Sequence, residues 1–286
     1  MLIEKARQEI QRQKELPTLS PDVQRILSAC EDSEISQTVL AGVLGQSPTI
    51  SARLLGLANS SFFGQQGQVH SLPRAISVLG MVTVKSVAAG LALSGVFQTS
   101  RCPRFDVERY WVSAVMTALM SSALNPHVLE NLRPSGDSVY MTGLLHNIGL
   151  LALVYLYPEE MDQALAAYAA SPERRLGEHI RDHLEIDHYQ AGLWLGSKWH
   201  LPEDILLVMK HHYDRDYRNE HWPLVLLQGV CARWAGQIVD GAVEIDAELS
   251  ALGALGIPAG RAGRVCEQMH EKLDAIREMA ALFGKA

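Results

Sequence analysis

The side chains best suited to chemistry in this sequence are histidines gathered in its second half: His146, His188 and the adjacent pair His211-His212. They fall on successive helix-like stretches, and imidazoles converging from several helices can build a metal site inside a bundle. Any one of them alone is better explained as an ordinary core or surface histidine. His146 is set apart by its surroundings, because it sits with Asn147 in the middle of V-Y-M-T-G-L-L-H-N-I-G-L-L-A-L-V-Y-L-Y, residues 139–157. That is the most apolar part of the chain, and polar groups in such a place need partners. Three readings compete. A membrane span is poorly served, since the run falls short of roughly 20 apolar residues and is broken by His146 and Asn147. A core helix with a tolerated histidine is one alternative. A polar pocket on buried helices, with His146-Asn147 at its floor, is the other.

The elements that must position these residues read as helices. Leu2, Ala6 and Ile10 draw one stripe on a short N-terminal helix over 2–13, which Leu16-Pro17 ends. Ser20-Pro21 and Ser47-Pro48 each pair an N-cap with proline at the first helical position, and Ser36 and Ser71 supply further caps. Asn59 reads as a helix-end cap, Phe62-Phe63-Gly64 as a turn, and Gly80 as a C-terminal stop. Residues 82–97 are small and apolar almost all round, which predicts a central helix. Asp106 caps a helix over 107–124, and helices follow over 158–170, 174–184, 187–199, 202–212 and 222–239. Gly149 marks a break or a tight approach within the apolar stretch. In the tail, Val265, Met269, Leu273, Ile276, Ala280 and Phe283 form a seam that predicts a helix packed back on its own domain, with a dimer coiled coil as the rival. No alternating β-branched run appears, so the fold class is all-α.

Composition narrows the function. With 286 residues, 48% apolar and 20% charged, the chain can bury a large core. A net charge of −7 and no basic stripe argue against nucleic acid as a partner. Cys30, Cys102, Cys231 and Cys266 lie far apart, with neither zinc-ribbon nor disulfide spacing. The N-terminus mixes acidic and basic residues and does not read as a signal peptide, so a cytoplasmic protein with no membrane association is expected.

G-L-L-H-N-I-G-L-L resembles the G-L-L-H-D-I-G signature of the HD superfamily of metal-dependent phosphohydrolases. The first half resembles one branch, the HDOD (HD-related output domain) proteins of bacteria. The matching residues are Leu16-Pro17, Pro48, Leu54-Leu55, Ala58-Asn59-Ser60, Phe63-Gly64, Ala75-Ile76 and Leu79-Gly80. The resemblance implies an HD-like helical bundle preceded by a packed N-terminal helical subdomain. It divides the chain into an N-terminal helix (1–15), an HDOD domain (16–240, with halves 16–98 and 105–240) and a C-terminal helical extension (241–286). Neither flank has room for a receiver or cyclic-dinucleotide domain, which implies a stand-alone module or a piece of a longer chain.

The resemblance also marks what is missing. Active HD enzymes hold a divalent metal with an early His, the His-Asp pair and a later Asp, and some add further histidines. Here Ser113 follows Tyr110-Trp111-Val112 where the first ligand would stand, the pair is His146-Asn147, and the last position falls near Gly229. His188 and His211 or His212 match the additional histidines. A metal that activates water needs anionic ligands, and neither Asn147, Ser113 nor Gly229 supplies one. No cofactor is therefore expected, although three converging histidines could retain zinc or a similar ion. The implied role is a non-catalytic signal-transduction module acting through a signalling protein partner or a small nucleotide ligand. The alternative is a phosphohydrolase acting on nucleotides or cyclic dinucleotides with a reduced ligand set. A relic pocket further predicts that His146, Asn147 and His188 form a buried polar network, with or without water, whose members satisfy one another.

Overall fold

Serine and aspartate caps start the helices where the sequence predicts. In the computed structural model, which describes residues 19–63, 67–241 and 246–284, the side chains of Ser20, Ser36, Ser47, Ser71, Asp106 and Asp187 each accept a backbone N–H from the first turn they cap. The expected helix over 2–13, the Leu16-Pro17 stop and Gly64 lie outside the described residues. The N-terminal half contains α1 (Pro21–Glu31), α2 (Gln37–Gly45), α3 (Pro48–Ala58), α4 (Leu72–Leu79) and α5 (Met81–Ser94). Every side chain of α5 from Val84 onward is buried, as a central helix requires. Asn59 does more than end α3: its amide donates to the carbonyls of Leu55 (2.9 Å) and Val69 (2.8 Å) and accepts from Val69 N–H (3.0 Å), tying the helix to the following loop.

The second half runs through α6 (Val107–Leu124), α7 (Gly136–Leu145), α8 (Ile148–Leu156), α9 (Pro158–Ala170), α10 (Leu176–Leu184), α11 (His188–Lys198), α12 (Glu203–His211) and α13 (Trp222–Val239). Helix α6 packs against both α7 and α13, while α8 lies along α11, and α12 contacts α7, α11 and α13. No strand occurs among the described residues, so the chain is all-α. The stretch 138–156 is long and apolar enough to cross a membrane by length and composition, but its most apolar 18-residue window is 78% buried inside the fold. It is core.

Two details of this region differ from the sequence reading. The apolar stretch breaks at His146-Asn147, between α7 and α8, and not at Gly149. Gly149 is the tight approach: a Cβ there would lie 2.0 Å from the carbonyl oxygen of His188 and 2.4 Å from the nitrogen of Gly192. The tail is likewise not one seam. Lys272 interrupts it, so that after α14 (Asp246–Gly253) come α15 (Ala259–Glu271) and α16 (Leu273–Gly284). Both bury their apolar residues in this chain, and the Phe283 ring stacks on Trp111 of α6 at 4.7 Å.

Because backbone, not a flexible side chain, occupies the space beside Gly149, even one methyl forces α8 and α11 apart. Gly149→Ala is expected to destabilise the protein by about 1–3 kcal/mol or more, measured as a lowered urea midpoint without loss of helical circular dichroism below the transition.

Candidate functional site

The break between α7 and α8 turns His146 inward at the end of α7. Its Nδ1 stands 2.7 Å from the carbonyl oxygen of Gly143. A carbonyl can only accept, so Nδ1 carries the proton and Nε2 is left as an acceptor. His212, at the end of α12, follows the same pattern, donating from Nδ1 to the Val208 carbonyl at 2.9 Å. The two rings meet edge to face with centroids 4.9 Å apart. His188 opens α11 and lies against Tyr189 (3.9 Å), whose ring also touches His212 (5.1 Å) and stacks on Tyr213 (4.1 Å). All three histidines are buried. Burial pulls His146 down to about 4, slightly opposed by its bond to Gly143. Burial also takes His188 to about 4, with Asp187 opposing and His146 adding, and holds His212 well below the usual range. The cluster is neutral near pH 7.

Three of the predicted assignments change. His211 does not join the cluster; it stacks on Tyr217 (4.4 Å), so His212 is the member of the pair that faces His146. Gly229 lies beside the cluster but has no room for a side chain, because a Cβ would stand 2.1 Å from the His212 carbonyl oxygen. An aspartate cannot simply be restored there. The expected network has no direct bond between its members: Asn147 Oδ1 and His188 Nδ1 are buried with no hydrogen-bond partner among the described residues. Asn147 leaves the cap of α8 unfilled by its side chain.

In front of His146 opens a cavity of about 420 Å³. Ser113, His146 and Asn147 line it together, whereas His188, His212 and Gly229 do not. Phe105, Leu150, Leu165, Tyr168, Ala169 and Leu176 form apolar walls, and Arg104, Asp106, Arg109 and Tyr110 complete it. Each arginine is already paired. Arg104 bridges to Asp162, and Arg109 grips Asp240 through Nε (3.0 Å) and Nη2 (2.7 Å). The sequence reading missed these residues, since nothing local marks Asp162 or Asp240 as partners of arginines more than fifty positions away. It also missed Glu248, a buried carboxylate held by Arg233 through two bonds of 2.8 Å, while Arg233 reaches the His212 carbonyl at 3.3 Å. This ties α13 and α14 to the histidine corner.

The donor set does not fit a divalent metal. His146 and His212 keep Nε2 free while Nδ1 bonds their own helices, but no carboxylate joins them: Asn147 is a neutral amide, and Asp187, next to His188, caps α11 and pairs with Arg181. Among the described residues, the group of His, Cys, Asp or Glu that brings three ligand atoms within 4.8 Å of one another is Glu203, Glu220 and His221, exposed at the surface and containing none of the predicted ligands.

Comparison with known proteins settles the family. The HDOD domain profile matches residues 16–215. The chain belongs to the HDOD family. A curated protein of Treponema pallidum (strain Nichols) is 22% identical over 234 residues, covering 79% of this chain and 43% of that protein, so the HDOD chain spans less than half the length of that relative. Among solved structures it is similar to a Marinobacter aquaeolei VT8 protein provisionally named for signal transduction, with TM-score 0.83 and 25% identity, covering 99% of this chain and 65% of the other. It also resembles in fold an HDOD domain protein of unknown function from Geobacter sulfurreducens (TM-score 0.79, 17% identity, 100% and 99% covered). A third likeness is to a Shewanella amazonensis SB2B protein provisionally named a phosphohydrolase (0.77, 20%, 98% of each).

The buried imidazoles make stability depend on pH. His146 and His188 titrate near 4 when folded and near 6.5 when unfolded. Between those values the unfolded chain binds more protons, so stability is full above about pH 6.5 and falls as pH drops towards about 4. The slope is at most about 1.4 kcal/mol per pH unit for each histidine. Urea midpoints at about pH 7, 6 and 5 should fall in that order, and His146→Asn should flatten the trend. Separately, Gly229→Asp should lower the midpoint to the same extent with chelator and with Mn²⁺, since its side chain collides with the His212 backbone before it can reach a ligand position.

Proposed function

We propose that this HDOD protein is a non-catalytic module of bacterial signal transduction, in which an HD-type pocket has lost the groups that hold and activate a metal. The observation that carries the reading is how the converging residues are committed. His146 and His212 are fixed as neutral imidazoles by their own backbone, Asn147 stands in place of the paired carboxylate, and Gly229 is filled by the His212 carbonyl. A metal that activates water takes about three protein ligands at one point; Asn147 and Gly229 supply no carboxylate, and among the described residues His146, His188 and His212 do not bring three ligand atoms within 4.8 Å of one another. Output then passes through contacts with a signalling protein, governed by the state of the bundle.

The test is hydrolysis of cyclic di-GMP, deoxynucleoside triphosphates and guanosine tetraphosphate with added Mg²⁺ or Mn²⁺. No product above a buffer control is expected. Metal-dependent turnover that disappears in His146→Ala would overturn the proposal and favour the phosphohydrolase reading.

A further inference from the structure

The cavity in front of His146 holds an unusual mixture: a rim of charges that are all engaged, and an interior whose polar groups are all neutral. At the rim, Arg104 is bridged to Asp162 and Arg109 to Asp240, so neither guanidinium is uncompensated. The remaining charge is the Asp106 carboxylate, which accepts from Arg109 N–H (2.8 Å) at the start of α6. A phosphate entering here would have to displace a carboxylate from an arginine and would meet Asp106 as it did so. Inside, Ser113 offers a hydroxyl, His146 has only the acceptor Nε2 to present, and Asn147 is an amide whose oxygen lacks a partner among the described residues. Tyr110 lines the same cavity with its ring 6% exposed, and its hydroxyl too is buried and without a partner among the described residues. Unpartnered buried hydroxyls and amides are rare, because each costs the desolvation that a hydrogen bond would offset. Apolar and aromatic walls from Phe105, Leu150 and Tyr168 face this set, in a volume within the range of small-ligand sites.

We propose that this cavity binds a neutral, flat ligand whose edge carries an N–H donor beside a carbonyl acceptor, a lactam or cyclic imide without phosphate. The N–H donates to His146 Nε2, the acceptor group that the Gly143 bond leaves available. The carbonyl accepts from the Tyr110 hydroxyl, and the ring packs between Phe105 and Tyr168. The inference rests on the non-catalytic reading of the pocket, since it uses Nε2 as a hydrogen-bond acceptor and not as a metal ligand. It supplies the signal for such a module: an occupant that joins α6 to the α7–α8 break and to the wall formed by α9.

The experiment uses the whole protein with chelator present, so that binding is read apart from any metal-dependent turnover. Uracil, hypoxanthine and 2-pyridone serve as neutral probes, and inosine 5′-monophosphate serves as the phosphate-bearing arm, each titrated by ligand-observed NMR and thermal shift. Saturable binding of at least one neutral probe is expected, with the nucleotide no tighter than hypoxanthine. Tyr110→Phe is the informative variant. Its hydroxyl has nothing to lose in the free protein, so the variant should melt at or above the parent temperature while binding the probe about tenfold more weakly or worse. His146→Phe should abolish binding. Tighter binding of the nucleotide than of every neutral probe would overturn the proposal, as would no saturable binding of any probe, or unchanged affinity in Tyr110→Phe. Turnover of a nucleotide once Mn²⁺ replaces the chelator would instead defeat the non-catalytic reading, whatever the binding results.

Discussion

Everything around the histidine cluster depends on backbone meeting backbone where a side chain would have stood. At Gly149, α8 comes so close to α11 that a methyl group would lie 2.0 Å from the His188 carbonyl. At Gly229, α13 meets the end of α12 just as closely, against the His212 carbonyl. These two contacts set the separation of the helices that carry the cluster. Interiors are packed too densely to absorb an inserted atom without moving a whole element. Lengthening either contact would therefore move His188 or His212 relative to His146, which its own bond to Gly143 fixes in place.

That constraint explains why the pocket differs from a metal centre in more than the identity of a few side chains. Substituting Asn147 alone would restore a carboxylate without the other ligands, in a buried place where an unpaired charge is costly. Substituting Gly229 would break the packing that brings His212 to the site. The neutral state of the imidazoles follows from the same burial that holds them together, and Glu248, the deeply buried carboxylate nearby, is fully occupied by Arg215 and Arg233. The cluster and the cavity in front of it are thus two layers. Behind lies a structural core of histidine and tyrosine rings, and in front lies a chamber with Ser113, His146 and Asn147 on its wall.

The tail has a matching role. By stacking Phe283 on Trp111 and packing α16 against α6, it holds the helix that carries Tyr110 and Ser113 against the rest of the bundle. Ser61 of the N-terminal half bonds Glu278 at 2.8 Å, so the same tail fastens the two halves to each other. The N-terminal half and the wall of the cavity are thus joined by contiguous packing through α16 and α6.

The sequence by itself determined the helices. Caps such as Ser20, Ser47, Ser71 and Asp106, prolines at first helical positions and the 3.6-residue periodicity are local signals, and local physics decides where a helix starts. It also determined the family and singled out His146, because both rest on motifs contiguous in the chain. What only the tertiary structure decided were matters of distance between helices. It decided that His212 and not His211 meets His146, that Gly229 is a contact and not a vacated ligand position, and that Arg104 and Arg109 are already paired. Helical phase near a helix break such as His146-Asn147, or at the end of α12, is not readable from periodicity, since one residue of error rotates a side chain by about 100°. The partners Asp162, Asp240 and Glu248 stand far from their arginines in sequence, and only the packed bundle brings them together.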